Sequence, residues 1–155
     1  MRVHVVTVSD RASRGEYEDL SGPEIERALR AAYPEAEISR EIVGDEAEAI
    51  RAALDRDPAA DWVVTCGGTG IGPRDLTPEA TRPWIERELP GLAEALRAES
   101  LRETPYAALS RGLAGMRGAR FVVNLPGSPA AARLGADFLV RVMEHAARMA
   151  AGGAH

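Results

Sequence analysis

The chain has no lysine: all 19 basic residues among its 155 are arginine. P-loop phosphate binding, Schiff-base formation and lysine general-base catalysis are therefore excluded together. Cysteine is nearly as scarce. Cys66 stands alone, which rules out an intrachain disulfide and points to a reducing compartment. Its thiol reads as a small buried filler rather than a nucleophile. Of three histidines, His4 lies within an apolar run, His145 in the last helical segment and His155 in the tail, and none is placed to act as a general base or metal ligand. Aromatics make up 5% of the chain, and Trp62 and Trp84 read as core or subunit-interface packing. No apolar run approaches a membrane span and no signal peptide precedes the first strand, so a cytoplasmic protein with no membrane partner is expected. The formal charge, 19 − 24 = −5, argues against an extended nucleic-acid surface but leaves room for a local arginine pocket.

What is present is ordinary for a globular protein: 45% hydrophobic and 28% charged residues, in a length that suits one domain over 1–155. Residues 2–8 are apolar and β-branched and read as a first strand. A polar loop, Ser9 to Gly15, follows. A helix is expected from about Leu20 to Tyr33, where Pro34 stops it. A second strand spans Ala36 to Val43, a helix opens at Asp45-Glu46, and Asp61 to Thr65 form a buried third strand. This βαβαβ order predicts a parallel sheet covered on both faces. Thr77–Glu88 and Gly91–Leu101 read as two consecutive helices broken at Pro90. The segment 105–118 is ambiguous. Residues 120–125 form a late strand, a final helix runs from Ala130 to Met149, and Gly152-Gly153 suggest a frayed tail.

The most informative stretch is Cys66 to Ala80. It joins the third strand to a helix start at Thr77-Pro78-Glu79, where a capping hydroxyl and an early proline are expected. Strand, glycine loop, helix is an arrangement that aims main-chain amides at an anion. Gly67, Gly68, Gly70 and Gly72 would let the backbone approach a ligand closely. Their spacing is neither the Walker A pattern nor the dinucleotide fingerprint. Asp75 places a carboxylate beside the supposed phosphate, an arrangement that makes electrostatic sense with a divalent cation between them. Read alone, Asp75 serves equally as a turn residue near a helix N-terminus, and Asp45 as an N-cap. Ligands of open α/β sheets bind beyond the strand carboxyl ends. That rule gathers Ser9, Asp10 and Arg11, then Asp45, the loop Gly67 to Asp75, and Asn124, Pro126, Gly127 and Ser128.

These residues carry a resemblance. Thr65-Cys66-Gly67-Gly68-Thr69-Gly70 and Arg74-Asp75-Leu76-Thr77-Pro78-Glu79-Ala80-Thr81 resemble the signature of the molybdenum cofactor biosynthesis domain, the molybdopterin adenylyltransferase family. Ser9-Asp10-Arg11, Leu109-Ser110-Arg111 and Asn124-Leu125-Pro126-Gly127-Ser128-Pro129 match its other motifs in the same order. The resemblance implies a three-layer α/β/α fold, a mostly parallel sheet with one antiparallel strand, and a homotrimer. It also implies Mg²⁺-dependent transfer of AMP from ATP to the terminal phosphate of molybdopterin, with later hand-over to a metal-insertion protein. Asp45 and Asp75 would be the essential carboxylates and metal ligands. Ser9, Asp10, Gly67, Gly68, Thr69, Gly70, Asn124, Leu125, Pro126 and Gly127 would hold the nucleotide. Arg74, Thr77, Ser110, Arg111 and Ser128 would hold the pterin. Val43-Gly44-Asp45 replaces the family's proline with glycine, which loosens the backbone before Asp45. The competing expectation is a catalytically silent molybdopterin-binding paralogue or carrier.

Overall fold

The computed structural model describes residues 1–153, so the expectation for His155 lies outside the described residues. Six strands, β1 (Arg2–Val8), β2 (Glu37–Val43), β3 (Trp62–Cys66), β4 (Arg87–Glu88), β5 (Ala114–Arg117) and β6 (Arg120–Leu125), form one sheet in the order β2-β1-β3-β6-β5-β4. The helices are α1 (Asp10–Ser13), α2 (Ser21–Ala32), α3 (Ala47–Leu54), α4 (Thr77–Thr81), α5 (Pro90–Leu101) and α6 (Pro129–Ala150).

Period-two alternation along the central strands builds the layers. Val3, Val5, Trp62, Val64, Phe121, Val123 and Leu125 pack on one face with Ile25, Leu29, Leu96, Leu139 and Met143 of α2, α5 and α6. The intervening Val6, Val8, Val63 and Val122 pack on the other with Ile50, Leu54 and Ala80 of α3 and α4. The three-layer α/β/α architecture follows. β1, β2, β3 and β6 pair in parallel, β5 is antiparallel to β6, and β4 is antiparallel to β5. Among the described residues β5 is thus the one reversed strand, as the resemblance implied.

Several local expectations are corrected. Ser9 to Gly15 is not wholly loop: Ser9 caps the short helix α1, its Oγ accepting from the Ala12 amide at 3.2 Å. The helix expected to open at Asp45 starts at Ala47. The helix expected over 77–88 ends after five residues, continues as a 3-10 turn at Arg82–Trp84, and becomes β4. Sheet pairing wins there, because the Glu86 amide bonds Met116 O and the Leu89 amide bonds Ala114 O. Pro90 begins α5 rather than breaking two helices. The ambiguous 105–118 holds a 3-10 turn (Pro105–Leu109) and β5. Nor do Gly152 and Gly153 fray: their amides bond Met149 O and Arg148 O, with Gly152 at φ +79°, which is a Schellman closure of α6.

Leu139 is fully buried in α6. Leu139→Ala is expected to cost about 3 kcal/mol and lower Tm by roughly 6–12 °C. Met149→Ala, at a site 46% exposed on the same helix, should shift stability by less than about 0.5 kcal/mol. Thermal unfolding of both variants checks this.

Candidate active site

β1 sends its chain outward to β2 and then across to β3 on its other side, so strand order reverses between β1 and β3. A pocket of about 260 Å³ opens at the carboxyl ends of that pair. Ser9, Asp45, Gly67, Gly68, Asp75 and Gly127 line it. These residues come from all four loops expected to converge.

The glycine loop is shaped by contact with its neighbours. Gly67 has φ +101°, and a Cβ there would lie 2.2 Å from Val8 O. Gly68 has φ +63°, and its Cβ would meet Thr77 Oγ1 at 2.4 Å and Asp45 Oδ1 at 3.2 Å. No other residue type fits either position without displacing backbone or buried side chain. The Gly67 amide is spent on Leu125 O at 3.1 Å. Among the described residues no protein acceptor meets the amides of Gly68, Thr69 or Gly70, which leaves those for an anion. Thr77 does not cap α4, whose N-cap is Leu76. Its buried hydroxyl donates to Gly67 O at 2.8 Å and its amide to Gly68 O at 3.0 Å, pinning the loop from beneath.

Asp45 is set by a reciprocal pair. The Asp10 amide donates to Asp45 Oδ2 at 2.7 Å, and the Asp45 amide donates to Asp10 Oδ1 at 2.9 Å. This pair fixes Asp45 despite the preceding Gly44. Arg74 donates to Asp10 Oδ2 through Nε and Nη2 at 3.0 and 2.7 Å. The Asp45 amide and the Arg74 guanidinium hold the Asp10 carboxyl below its ordinary range. Asp45 moves the other way. Burial pushes its carboxyl up, the Asp10 amide opposes that, and the charges of Asp10 and Asp75 add to the upward push. Asp75 is oriented by its own turn: Gly72 N donates to Asp75 Oδ2 at 2.8 Å, and Asp75 N to Gly72 O at 3.0 Å. Asp45 Oδ1 and Asp75 Oδ1 meet no protein donor among the described residues.

The remaining sequence-derived residues, Cys66 apart, lie outside this pocket. Asn124 is buried, with its amide protons on Thr65 Oγ1 and Thr81 Oγ1 and its Oδ1 on the Leu113 amide. Its side chain knits β3, α4 and β5. With Leu125, Pro126 and Ser110 it borders a cavity of about 20 Å³, room for one water and not for a nucleotide. Ser128 caps α6 and edges a separate cavity of about 580 Å³ beside Ser100, Thr104 and Arg133. Arg111 fastens the glycine loop: its amide bonds Thr69 O at 2.8 Å, Nε bonds Gly70 O at 2.6 Å, and Nη2 bonds Asp75 O at 2.7 Å. Cys66 is fully buried against the Thr7 hydroxyl, and burial pushes its thiol up to about 12, as a filler requires.

Sequence reading missed Thr7, Tyr17, Asp19 and Ser21, all of which line the pocket. Asp19 Oδ1 accepts from the Ser21 and Gly22 amides, capping α2, while Oδ2 accepts from Thr7 Oγ1 at 2.9 Å. Ser21 Oγ donates to Gly127 O at 2.7 Å. The signal was Asp19-Leu20-Ser21-Gly22-Pro23, an acidic residue ahead of an early proline at a helix start.

A strand, glycine loop and helix at the switch point of a parallel sheet, faced by two half-free carboxylates, define an α/β domain with a candidate site at its strand carboxyl ends. Residues 4–145 match the family described as a probable molybdopterin binding domain, MoCF_biosynth, and the chain belongs to it. It is 43% identical over 137 residues to the molybdopterin adenylyltransferase of Helicobacter pylori J99, covering 86% of this chain and 78% of that one. The molybdopterin adenylyltransferase of Escherichia coli K12 is 38% identical over 133 residues, covering 83% and 68%. The crystal structure of the molybdopterin biosynthesis enzyme MoaB of Thermus thermophilus superposes with a TM-score of 0.88 at 45% identity, over 97% of this chain and 96% of that one.

Asp45 carries a stability prediction. Its folded carboxyl titrates above its unfolded range, so its ionisation favours the unfolded chain, and stability falls as pH rises from about 4, the unfolded value, through the raised folded one. Asp45→Asn keeps an acceptor for the Asp10 amide and removes the charge. Without divalent cations it is expected to melt above wild type at pH 7, with the difference closing toward pH 4. Thermal unfolding across pH checks this.

Proposed function

We propose that the chain is a molybdopterin adenylyltransferase, transferring AMP from ATP to the terminal phosphate of molybdopterin. The observation that carries the reading is the placement of Asp45 and Asp75 on either side of the glycine loop at the switch point, in a chain 38–43% identical to proteins of that name. A terminal phosphate oxygen of the pterin attacks the α-phosphorus of ATP. The new P–O bond forms as the bond to the β-phosphate breaks, and pyrophosphate leaves.

Two polyanions must meet, so positioning and charge neutralisation supply most of the acceleration. The free amides of Gly68 and Gly70 bind phosphate oxygens. Ser9 and Gly127, at the pocket wall, flank the nucleoside. Arg74, with an exposed side chain already on Asp10, offers positive charge at the mouth.

The residues present fit Mg²⁺. Asp45 and Asp75 each keep one oxygen without a protein donor, and burial, with the charges of Asp10 and Asp75 adding to it, raises Asp45. Among the described residues no three acidic, histidine or cysteine side chains form a complete metal cage. Two carboxylates with the rest of the shell taken by phosphates and water is the usual way to bind this ion. When bound, Mg²⁺ supplies charge neutralisation of the transferring phosphate.

No helix among the described residues is long and apolar enough to cross a membrane, and we place the enzyme in the cytoplasm. On the family resemblance the assembly is a homotrimer, and the adenylylated pterin passes to a metal-insertion protein.

Incubated anaerobically with molybdopterin, ATP and Mg²⁺, the protein is expected to yield a product heavier by one adenylyl group in mass spectra. Asp75→Asn should retain the pterin and lose about 10²-fold or more in transfer. Asp45→Asn with Asp75→Asn should be no worse than either alone, because both serve one cation. Pterin recovered bound but unmodified from the wild type would make this chain a silent paralogue or carrier instead.

A further inference from the structure

We propose that Arg111 is a positioning residue that holds the Asp75 carboxylate in place by clamping both ends of its turn, and that it makes no contact with the pterin. The inference rests on the reading of Asp75 as the cation ligand.

Each guanidinium nitrogen is already engaged. Nε donates to Gly70 O at 2.6 Å, Nη2 donates to Asp75 O at 2.7 Å, and Nη1 pairs with Glu79 of α4. The Arg111 amide adds a fourth link, to Thr69 O at 2.8 Å. The pairing with Arg111 holds the Glu79 carboxyl below its ordinary range. Arg111 therefore spans the loop from its glycine side to its aspartate side and anchors it to the helix beyond. Three of its five N–H donors, one on each nitrogen, are thus committed to the loop and to α4, and a guanidinium drawn fully onto a substrate phosphate would loosen these links.

The loop needs such a clamp. Ile71, Gly72, Pro73 and Arg74 are exposed, and Ile71 is 70% exposed. The ring closed by Gly72 and Asp75 orients the carboxylate only relative to its own turn. That turn can swing as a unit unless its ends are tied to the body of the protein. Cβ atoms built on Gly70 and Gly72 would both lie 2.8 Å from Asp75 Oδ2, so the carboxylate is packed against the segment that Arg111 fastens. A planar fork reaches two carbonyls separated along the chain, whereas the point charge of lysine reaches one.

The test compares Arg111→Lys, Arg111→Ala and Glu79→Gln with wild type by three readouts: hydrogen exchange of the segment 67–75, the pterin dissociation constant, and steady-state kinetics against Mg²⁺ concentration. Both Arg111 variants are expected to exchange the segment about tenfold faster or more. They should lose about 10²-fold in kcat and need more Mg²⁺, while pterin affinity stays within about twofold. Glu79→Gln, which removes only the outer anchor, should show the same pattern more weakly. Unchanged exchange with pterin binding weakened about tenfold or more would overturn the proposal and return Arg111 to the substrate. If the wild type shows no Mg²⁺ dependence, the cation reading fails. Exchange and pterin affinity still decide the clamp, because neither depends on turnover. An unfolded Arg111→Ala leaves Arg111→Lys and Glu79→Gln to carry the comparison.

Discussion

The structure depends on one close approach of main chain to main chain. Gly67, the first residue after β3, passes so near the end of β1 that a Cβ would stand 2.2 Å from Val8 O, and a Cβ on Gly127 would stand 3.1 Å from Gly67 Cα. Three strand ends therefore meet at a residue with no side chain. Glycine at 67 is what allows the loops after β1, β3 and β6 to share one pocket. The positive φ at Gly67 and Gly68 then turns the chain so that Thr77 can bond back to both carbonyls.

The same closeness creates an electrostatic cost. Burial pushes the Asp45 carboxyl up, and the nearby charges of Asp10 and Asp75 add to that push. Arg74 offsets it, and it bonds Asp10 rather than the other two. A site with more carboxylate than it can neutralise is destabilising in isolation and useful when cation and phosphates arrive together. The reciprocal Asp10–Asp45 pair keeps that repulsion from opening the loops.

How much of this was legible in the sequence follows from the range of the forces involved. The central strands were readable because apolar β-branched runs report burial on both faces, and the pocket's place followed from strand order. β5 was not readable: Ala114-Gly115-Met116-Arg117 has no strand signature of its own. Gly115 is required because β4 crosses so near that a Cβ would lie 2.9 Å from Arg87 O. β4 itself was hidden in a stretch of helix-forming residues, and only pairing with Met116 and Gly115 decides it. At the candidate site, motif reading named the pocket's glycines with Asp45 and Asp75 but not how the other motif residues are used. Asn124, Thr77 and Arg111 belong to the same set of motifs as Gly67 and Asp75, yet their side chains bond within the protein, a fact that lies in non-local contacts.

The absence of lysine acquires a structural meaning at this point. Arginine forks here act repeatedly as clamps on main-chain carbonyls. Arg120 bonds Leu54 O, Asp57 O and Ala60 O, tying the α3–β3 connection, just as Arg111 ties the glycine loop. Arg97 does the same to Gly112 O. A planar cation with fixed donor directions suits this bracing better than a flexible ammonium. Guanidinium groups braced on carbonyls are less available to substrate, so on the proposed reading neutralisation of two meeting polyanions falls mainly to other groups. Those are the unpartnered amides of Gly68 and Gly70, the exposed Arg74 on Asp10 at the rim, and a cation on the unpartnered oxygens of Asp45 and Asp75. Arginine sets the shape of this site, and on the proposed reading the transferred charge is met mainly by backbone and cation.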